Sequence, residues 1–243
     1  SYAKSGVKRI VALRGDPPKG AAACAAHPDG FKNAPELVAA LAETGQFEII
    51  VGAYPDAHPE AAYSGADIDW LKRLVPLGIR CVQLRAKDME PDQLRDEIAQ
   101  AKVLCAAANC QLIVNDYWQL ALKAGADFIH LGQEDLADAD LPAIRAAGLK
   151  IGISTHSEAE LEVALVAEPD YIALGPIYET KLKVMPWKPQ GLARLGQWKA
   201  RIGSIPLVGI AGITVERAQG VLDAGADSAA VITDFVTHET PEA

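Results

Sequence analysis

Gln111-Leu-Ile-Val-Asn-Asp116 and Phe128-Ile-His-Leu-Gly-Gln-Glu-Asp135 are the stretches on which the reading of the fold turns. Each opens with an apolar run of strand length, Gln111 to Val114 and Phe128 to Gly132, and closes on polar residues, Asn115-Asp116 and Gln133-Glu134-Asp135. The two lie one strand-helix-strand unit apart. In β/α proteins the chemistry gathers outside the carboxyl ends of the strands, so two acidic ends from neighbouring strands make a candidate Mg²⁺ and diphosphate site.

Working outward, short runs rich in Val and Ile predict nine strands: Arg9 to Leu13, Phe47 to Ala53, Cys81 to Arg85, Leu112 to Asp116, Phe128 to Gly132, Ile151 to Thr155, Tyr171 to Gly175, Pro206 to Ile213 and Ser228 to Thr233. Amphipathic stretches between them predict helices over Ala34 to Glu43, Asp67 to Val75, Pro91 to Ala107, Glu158 to Ala167 and Val215 to Ala224. Alternating β and α segments imply parallel strands with crossover helices. The expected fold is an α/β, TIM (β/α)8-type barrel, in one domain spanning 1–243, with one candidate strand more than the barrel needs. Ala124-Gly-Ala-Asp127 and Ala224-Gly-Ala-Asp227 echo each other at helix ends and read as structural punctuation. The Pro- and Gly-rich segment Asp16 to Lys32, and Tyr54 to Gly65, read as loops.

A chain of 243 residues, 50% hydrophobic, can bury a substantial core. Its net charge of −9 excludes a broad basic surface, and with it nucleic-acid binding as a main function. No apolar run reaches the roughly 18 residues that a membrane span needs, and the first residues lack a signal peptide's apolar stretch. The expectation is a cytoplasmic protein acting on phosphorylated small molecules. Cys24, Cys81, Cys105 and Cys110 form no CxxC pair and read as buried reduced thiols. His130, inside an apolar strand, reads as a hydrogen-bonded core residue; His156, at a strand end, stands open between a site and a structural role.

The strand ends from Cys81 onward carry a coherent polar series: Gln83, Arg85 and Lys87; Asn115 and Asp116; Gln133, Glu134 and Asp135; Ser154, Thr155 and His156; Thr180, Lys181 and Lys183; Gly212; and Thr233. Carboxylates can hold Mg²⁺, Arg and Lys can neutralise phosphate oxygens, and a glycine loop offers backbone donors. Taken singly, Asp116 could cap a helix, Lys183 could be a solvated loop charge and Gly212 could serve a turn. Their recurrence at successive strand ends favours a site for a phosphorylated substrate and a metal.

From about Asp67 to His238 the chain resembles the proteobacterial thiamine phosphate synthases. The resemblance rests on Val82-Gln-Leu-Arg-Ala-Lys87, Leu112-Ile-Val-Asn-Asp-Tyr-Trp118, His130-Leu-Gly-Gln-Glu-Asp-Leu136, Gly152-Ile-Ser-Thr-His156 and Gly175-Pro-Ile-Tyr178, in the family's order and spacing. It implies a transferase that joins a hydroxymethylpyrimidine diphosphate to a thiazole phosphate. By motif, Asp116 and Asp135 would bind Mg²⁺, while Gln83, Arg85, Lys87, Asn115 and Lys183 would hold the pyrimidine diphosphate. Arg85, Lys87 and Lys183 would neutralise the leaving group, and Ser154, Thr180, Gly212, Ile232 and Thr233 would line the thiazole-phosphate pocket. The chain departs from the family where T-x-T-K reads Thr180-Lys-Leu-Lys183, where Gly-Gly-Ile reads Ala211-Gly-Ile213, and where the last strand carries Thr233 instead of Ser. The family would add a closing C-terminal helix past the ninth strand, where this chain stops at Ala243, so no closing helix is expected here.

Residues 1–66 resemble a different barrel, methylenetetrahydrofolate reductase, through Val11-Ala-Leu-Arg-Gly-Asp-Pro-Pro18, Gly30-Phe31 and Ala53-Tyr-Pro-Asp-Ala-His-Pro-Glu-Ala61. That likeness would put Arg14, Asp16, Tyr54 and His58 at flavin-contacting positions, but it covers one β-α-β unit and reads as a structural donor. The chain is expected to be a chimera, natural or engineered, with residues 67–243 forming the synthase-like part. Three functional readings follow: an Mg²⁺-dependent transferase, a folded but inactive recombined scaffold, and a flavin binder, which would be yellow. A misfitted ninth strand would leave an edge that favours dimerisation.

Overall fold

A computed structural model describes residues 9–11, 48–53, 68, 71–72, 75–77, 79–85, 89–180 and 186–230. The strands are β1 (Arg9–Val11), β2 (Glu48–Ala53), β3 (Ile79–Leu84), β4 (Gln111–Asn115), β5 (Phe128–Leu131), β6 (Lys150–Thr155), β7 (Tyr171–Leu174), β8 (Leu207–Ile210) and β9 (Ser228–Ala230). The helices are α1 (Pro91–Ala107), α2 (Trp118–Lys123), α3 (Gln133–Asp138), α4 (Leu141–Ala146), α5 (Glu158–Val166), α6 (Gly191–Ile202) and α7 (Val215–Asp223). Neighbouring strands pair in parallel in chain order. The sheet curls until residues of β1 and β9 lie within 8 Å of each other, Cα to Cα. The result is a TIM-like α/β fold.

Parallel sheets of this kind are covered by their crossover helices, which explains the apolar strands. Val82, Leu84, Leu112, Val114, Ile129, Leu131, Ile151, Ile153, Ile172 and Leu174 are all buried. α1 supplies one matching stripe through Leu94, Ile98, Ala101 and Cys105, and it starts with Pro91 in the first turn, where no backbone donor is missed. The chain leaves α1 through Asn109, whose φ of 52° lets Cys110 N donate to Cys105 O at 2.8 Å and Asn109 N to Ala106 O at 3.2 Å.

Residues paired in register on parallel strands point to the same face, and successive residues alternate. Asn115 pairs with His130, His130 with Gly152, Gly152 with Tyr171, and Ser154 with Ala173. These positions share one face with Gln83, which pairs with Ile113 two residues before Asn115. The other face meets the helices: Thr155 Oγ1 accepts a hydrogen bond from buried Trp198 Nε1 of α6 at 3.2 Å. Outward positions from β3 to β7 are mostly aliphatic, while the polar Gln83, Asn115, His130 and Ser154 point inward.

Several expectations are corrected. β4 stops at Asn115 because Asp116 has a φ of 71°, and β8 stops at Ile210, not Ile213, because Ala211 and Gly212 have φ values of 64° and 69°. Gln133, Glu134 and Asp135 are the first turn of α3, not a strand end. Gly132 breaks the strand as N-cap, and acidic side chains suit the positive helix N-terminus. Near the expected helix over 67–75, Ile68, Leu71 and Lys72 are helical and Val75–Leu77 forms a 3-10 turn. Cys81 is half-buried on the inward face, whereas Cys105 and Cys110 are buried; none of the three is in a disulfide. The two Ala-Gly-Ala-Asp echoes close α2 and α7, with Ala124 and Ala224 as C-caps. The expected helix over 34–43, Cys24 and the C-terminal segment 231–243 lie outside the described residues. No helix among the described residues is long and apolar enough to cross a membrane.

Candidate functional site

The inward face carries a hydrogen-bond chain centred on buried His130 and Ser154. His130 Nδ1 lies 2.5 Å from Tyr171 Oη, and His130 Nε2 lies 2.7 Å from Ser154 Oγ. Tyr171 is hydrogen-bonded in turn to the Gln83 side chain. Gln133 Nε2 donates to Ser154 O at 2.6 Å, tying α3 to β6. Space for the phenol ring comes from Gly152, where a Cβ would stand 2.1 Å from Tyr171 ring atoms. Burial, reinforced by the Arg85 guanidinium, lowers the pKa of His130 to about 4. Burial likewise pushes the Tyr171 phenol up, with the Gln83 hydrogen bond acting the other way. A neutral imidazole has one donor and one acceptor nitrogen, which matches one hydroxyl on each side.

At the rim, Asp116 N donates to His130 O at 2.9 Å, so the left-handed Asp116 is fastened to the end of β5. Asp116 is not the N-cap of α2; that position is Tyr117. Asp135 folds back over Gly132, where a Cβ would stand 3.1 Å from Asp135 Oδ2. Both half-buried carboxylates thus belong to the same end of adjacent strands. Two hard oxygen donors suit Mg²⁺, which commonly binds through one or two carboxylates and substrate phosphates. Among the described residues no three His, Cys, Asp or Glu side chains gather as a ready-made metal cage.

Across the mouth, Gly212 lies against the backbone that follows β7, where a Cβ would stand 2.5 Å from Tyr178 O and 2.6 Å from Glu179 O. Arg217 Nη1 donates to Gly212 O at 2.8 Å, and its guanidinium carbon lies 4.6 Å from the centre of the Tyr178 ring.

Residues 54–235 match the family model described as thiamine monophosphate synthase. The chain belongs to that family. It is 62% identical over 175 residues to a thiamine-phosphate synthase of Rhizobium etli, covering 72% of this chain and 86% of the relative. It is 46% identical over 172 residues to that of Citrobacter koseri, covering 71% and 82% of the two chains. The fold matches the thiamine phosphate pyrophosphorylase structure from Pyrococcus furiosus with a TM-score of 0.64 at 26% identity, over 79% of this chain and 89% of that one. Residues 1–102 also match a model described as methylenetetrahydrofolate reductase.

Of the expected thiamine monophosphate synthase residues, Gln83, Asn115 and Ser154 are brought together on the inward face. Arg85 follows β3 at the same parity as Gln83 and is close enough to His130 to lower its pKa. Asp116, Asp135, Thr180 and Gly212 lie in the segments just past the strands, all half-buried. Lys87, Lys183, Ile232 and Thr233 lie outside the described residues. Sequence reasoning missed Tyr171 and Gly152, and it gave His130 only a core role. The available signal was the pairing of a glycine with a large polar ring two residues before Ser154.

Neutral, buried His130 has a pH signature. The folded state, with a pKa of about 4, binds fewer protons between pH 4 and 6.5 than the unfolded chain, whose His titrates near 6.5. The stability is therefore complete above about 6.5 and is lost as pH falls toward 4, by up to about 3 kcal/mol. Urea melts of wild type and His130→Gln should converge across that window; a constant gap would contradict a neutral buried His130.

Ala211 holds a φ of 64° where the family has glycine. A left-handed non-glycine residue costs roughly 1–2 kcal/mol, of which the entropy of an unfolded glycine returns about half. Ala211→Gly is expected to raise stability by about 0.5–1 kcal/mol, read as a higher Tm.

Proposed function

We propose that this chain couples hydroxymethylpyrimidine diphosphate to thiazole phosphate, giving thiamine phosphate and pyrophosphate. The observation that carries the proposal is the set of polar side chains on the inward face, Gln83, Asn115, His130 and Ser154, beneath the acidic ends Asp116 and Asp135, in a chain of this family. The bond from the pyrimidine methylene to the diphosphate oxygen breaks, and its electron pair leaves with pyrophosphate. The thiazole nitrogen then forms the new carbon–nitrogen bond, so no protein nucleophile is needed.

Such a displacement is limited by charge: the departing pyrophosphate must be neutralised in a dry, preorganised site. Arg85, Lys87 and Lys183 take that role, while Gln83 and Asn115 hold the pyrimidine diphosphate. Ser154, Thr180, Gly212, Ile232 and Thr233 line the thiazole-phosphate pocket. Asp116 and Asp135 would hold Mg²⁺, which when bound adds positive charge against the diphosphate oxygens. His130, kept neutral, orients Ser154 without adding a cation to a face beside a developing carbocation.

The reading extends to the N-terminal part. Residues 1–66 form a β-α-β unit drawn from a methylenetetrahydrofolate reductase-like barrel, and residues 67–243 form the synthase part of one chimeric, cytoplasmic barrel. A reductase-like match over residues 1–102 and a synthase match over residues 54–235 support two origins, with a junction inside residues 54–102. An inactive scaffold is not favoured, because the inward set is intact across β3 to β6. Purified protein supplied with both substrates and Mg²⁺ should release thiamine phosphate; binding of both substrates without product would leave a scaffold.

A further inference from the structure

The connection between β7 and α6 is described over residues 175–180 and 186–190. It is held at two legs on opposite sides of β7. On the first, Ile177 N donates to Ile210 O at 2.9 Å and Tyr178 N to Ala211 O at 3.2 Å, at the end of β8. On the second, the Trp187 ring stacks on His156, just past β6, with centroids 3.9 Å apart and planes 12° apart.

His156 is itself fixed in place. Glu160 Oε2 accepts from His156 N at 2.6 Å and lies 2.8 Å from His156 Nδ1. Gln190 Nε2 donates to His156 O at 2.9 Å, and Gln190 N donates to Pro176 O at 2.7 Å, which draws the second leg back to the start of the connection. Thr180 lies between the two legs. A hydroxyl on this connection finds a bound phosphate only if both legs are anchored, because a loose leg spreads it over many positions.

We infer that the His156–Trp187 stack is a positioning device that sets affinity for the phosphate of the thiazole substrate by fixing where Thr180 stands. The inference rests on the reading of Thr180 as a thiazole-phosphate contact. It resolves the role that the sequence leaves open for His156: the ring is a platform for a loop and not a proton carrier.

Steady-state kinetics test it. Trp187→Ala should raise KM for thiazole phosphate roughly three- to tenfold, the range that one aromatic pair sustains, with kcat within about twofold and KM for the pyrimidine diphosphate unchanged. Trp187→Phe, which keeps a stacking ring, should restore most of the affinity. Thr180→Ala separates the two layers. If Thr180→Ala leaves KM for thiazole phosphate unchanged, the reading of Thr180 fails. If Thr180→Ala raises that KM and Trp187→Ala does not, the positioning role fails. Equal losses in kcat and in both KM values for Trp187→Ala, not rescued by Phe, would make the stack merely structural and overturn the inference.

Discussion

Asp116→Asn is expected to lower turnover by at least about 10²–10³-fold while leaving the fold in place. The fall follows from the several kcal/mol that a bound cation contributes against a departing anion, at about 1.36 kcal/mol per factor of ten. Two carboxylates are the expected protein share of the Mg²⁺ site, and losing one leaves the cation dependent on Asp135 and substrate phosphates alone. The fold should survive because Asn tolerates the left-handed backbone that Asp116 adopts at a φ of 71°. Asp116→Ala should lose the same activity and, in addition, about 1–2 kcal/mol of stability, because alanine pays the left-handed cost without a local hydrogen bond. Initial rates at varied Mg²⁺, with melting curves for both variants, separate the two effects. Near wild-type rates in Asp116→Asn would remove Asp116 from the metal role.

Gly212→Ala should injure the opposite side of the mouth. A methyl group there would stand 2.5 Å from Tyr178 O and 2.6 Å from Glu179 O, backbone atoms that cannot rotate away, and Gly212 holds a φ of 69°. Left-handed strain of about 1–2 kcal/mol and overpacking of about 1–3 kcal/mol give a total of roughly 2–5 kcal/mol. Much of it would be relieved by the connection lifting off β8, carrying Thr180 with it. The expected outcome is a large rise in KM for thiazole phosphate together with a lower Tm. A destabilised variant with an unchanged KM would show that Gly212 shapes the barrel end without touching the phosphate site.

The strands were readable from sequence because parallel strands covered on one side by helices must be rich in Val and Ile, and β3 to β8 are. The rim residues were readable because polar side chains at successive strand ends have no core reason to be there. What was not legible depends on register and backbone dihedrals. Nothing in Asn115-Asp116 announces a φ of 71°, which ends β4 one residue early. The acidic first turn of α3 reads equally well as a strand end until Gly132 is seen to cap it. The hydrogen-bond chain from Gln83 through Tyr171 and His130 to Ser154 needs the alignment of β5, β6 and β7, since its members are spread over four strands. The His156–Trp187 contact joins two connections whose proximity no local pattern predicts.

The alternation along β3 to β7 has a consequence for how this chain can change. Residues that pack against the helices and residues that point into the barrel take turns on the same strands, so neighbours in sequence are under different demands. Ile151 and Ile153 face the helices, while Gly152 and Ser154 face the barrel interior. A substitution at an inward position can therefore retune what is bound with little effect on helix packing, and one at an outward position can alter stability with little effect on selectivity. Insertion of a single residue within a strand would exchange the two roles at every later position of that strand, placing Ile in the barrel interior and Ser against the helices. Point substitutions should be the tolerated currency of divergence in these strands, and changes of length should be confined to the connections at the mouth.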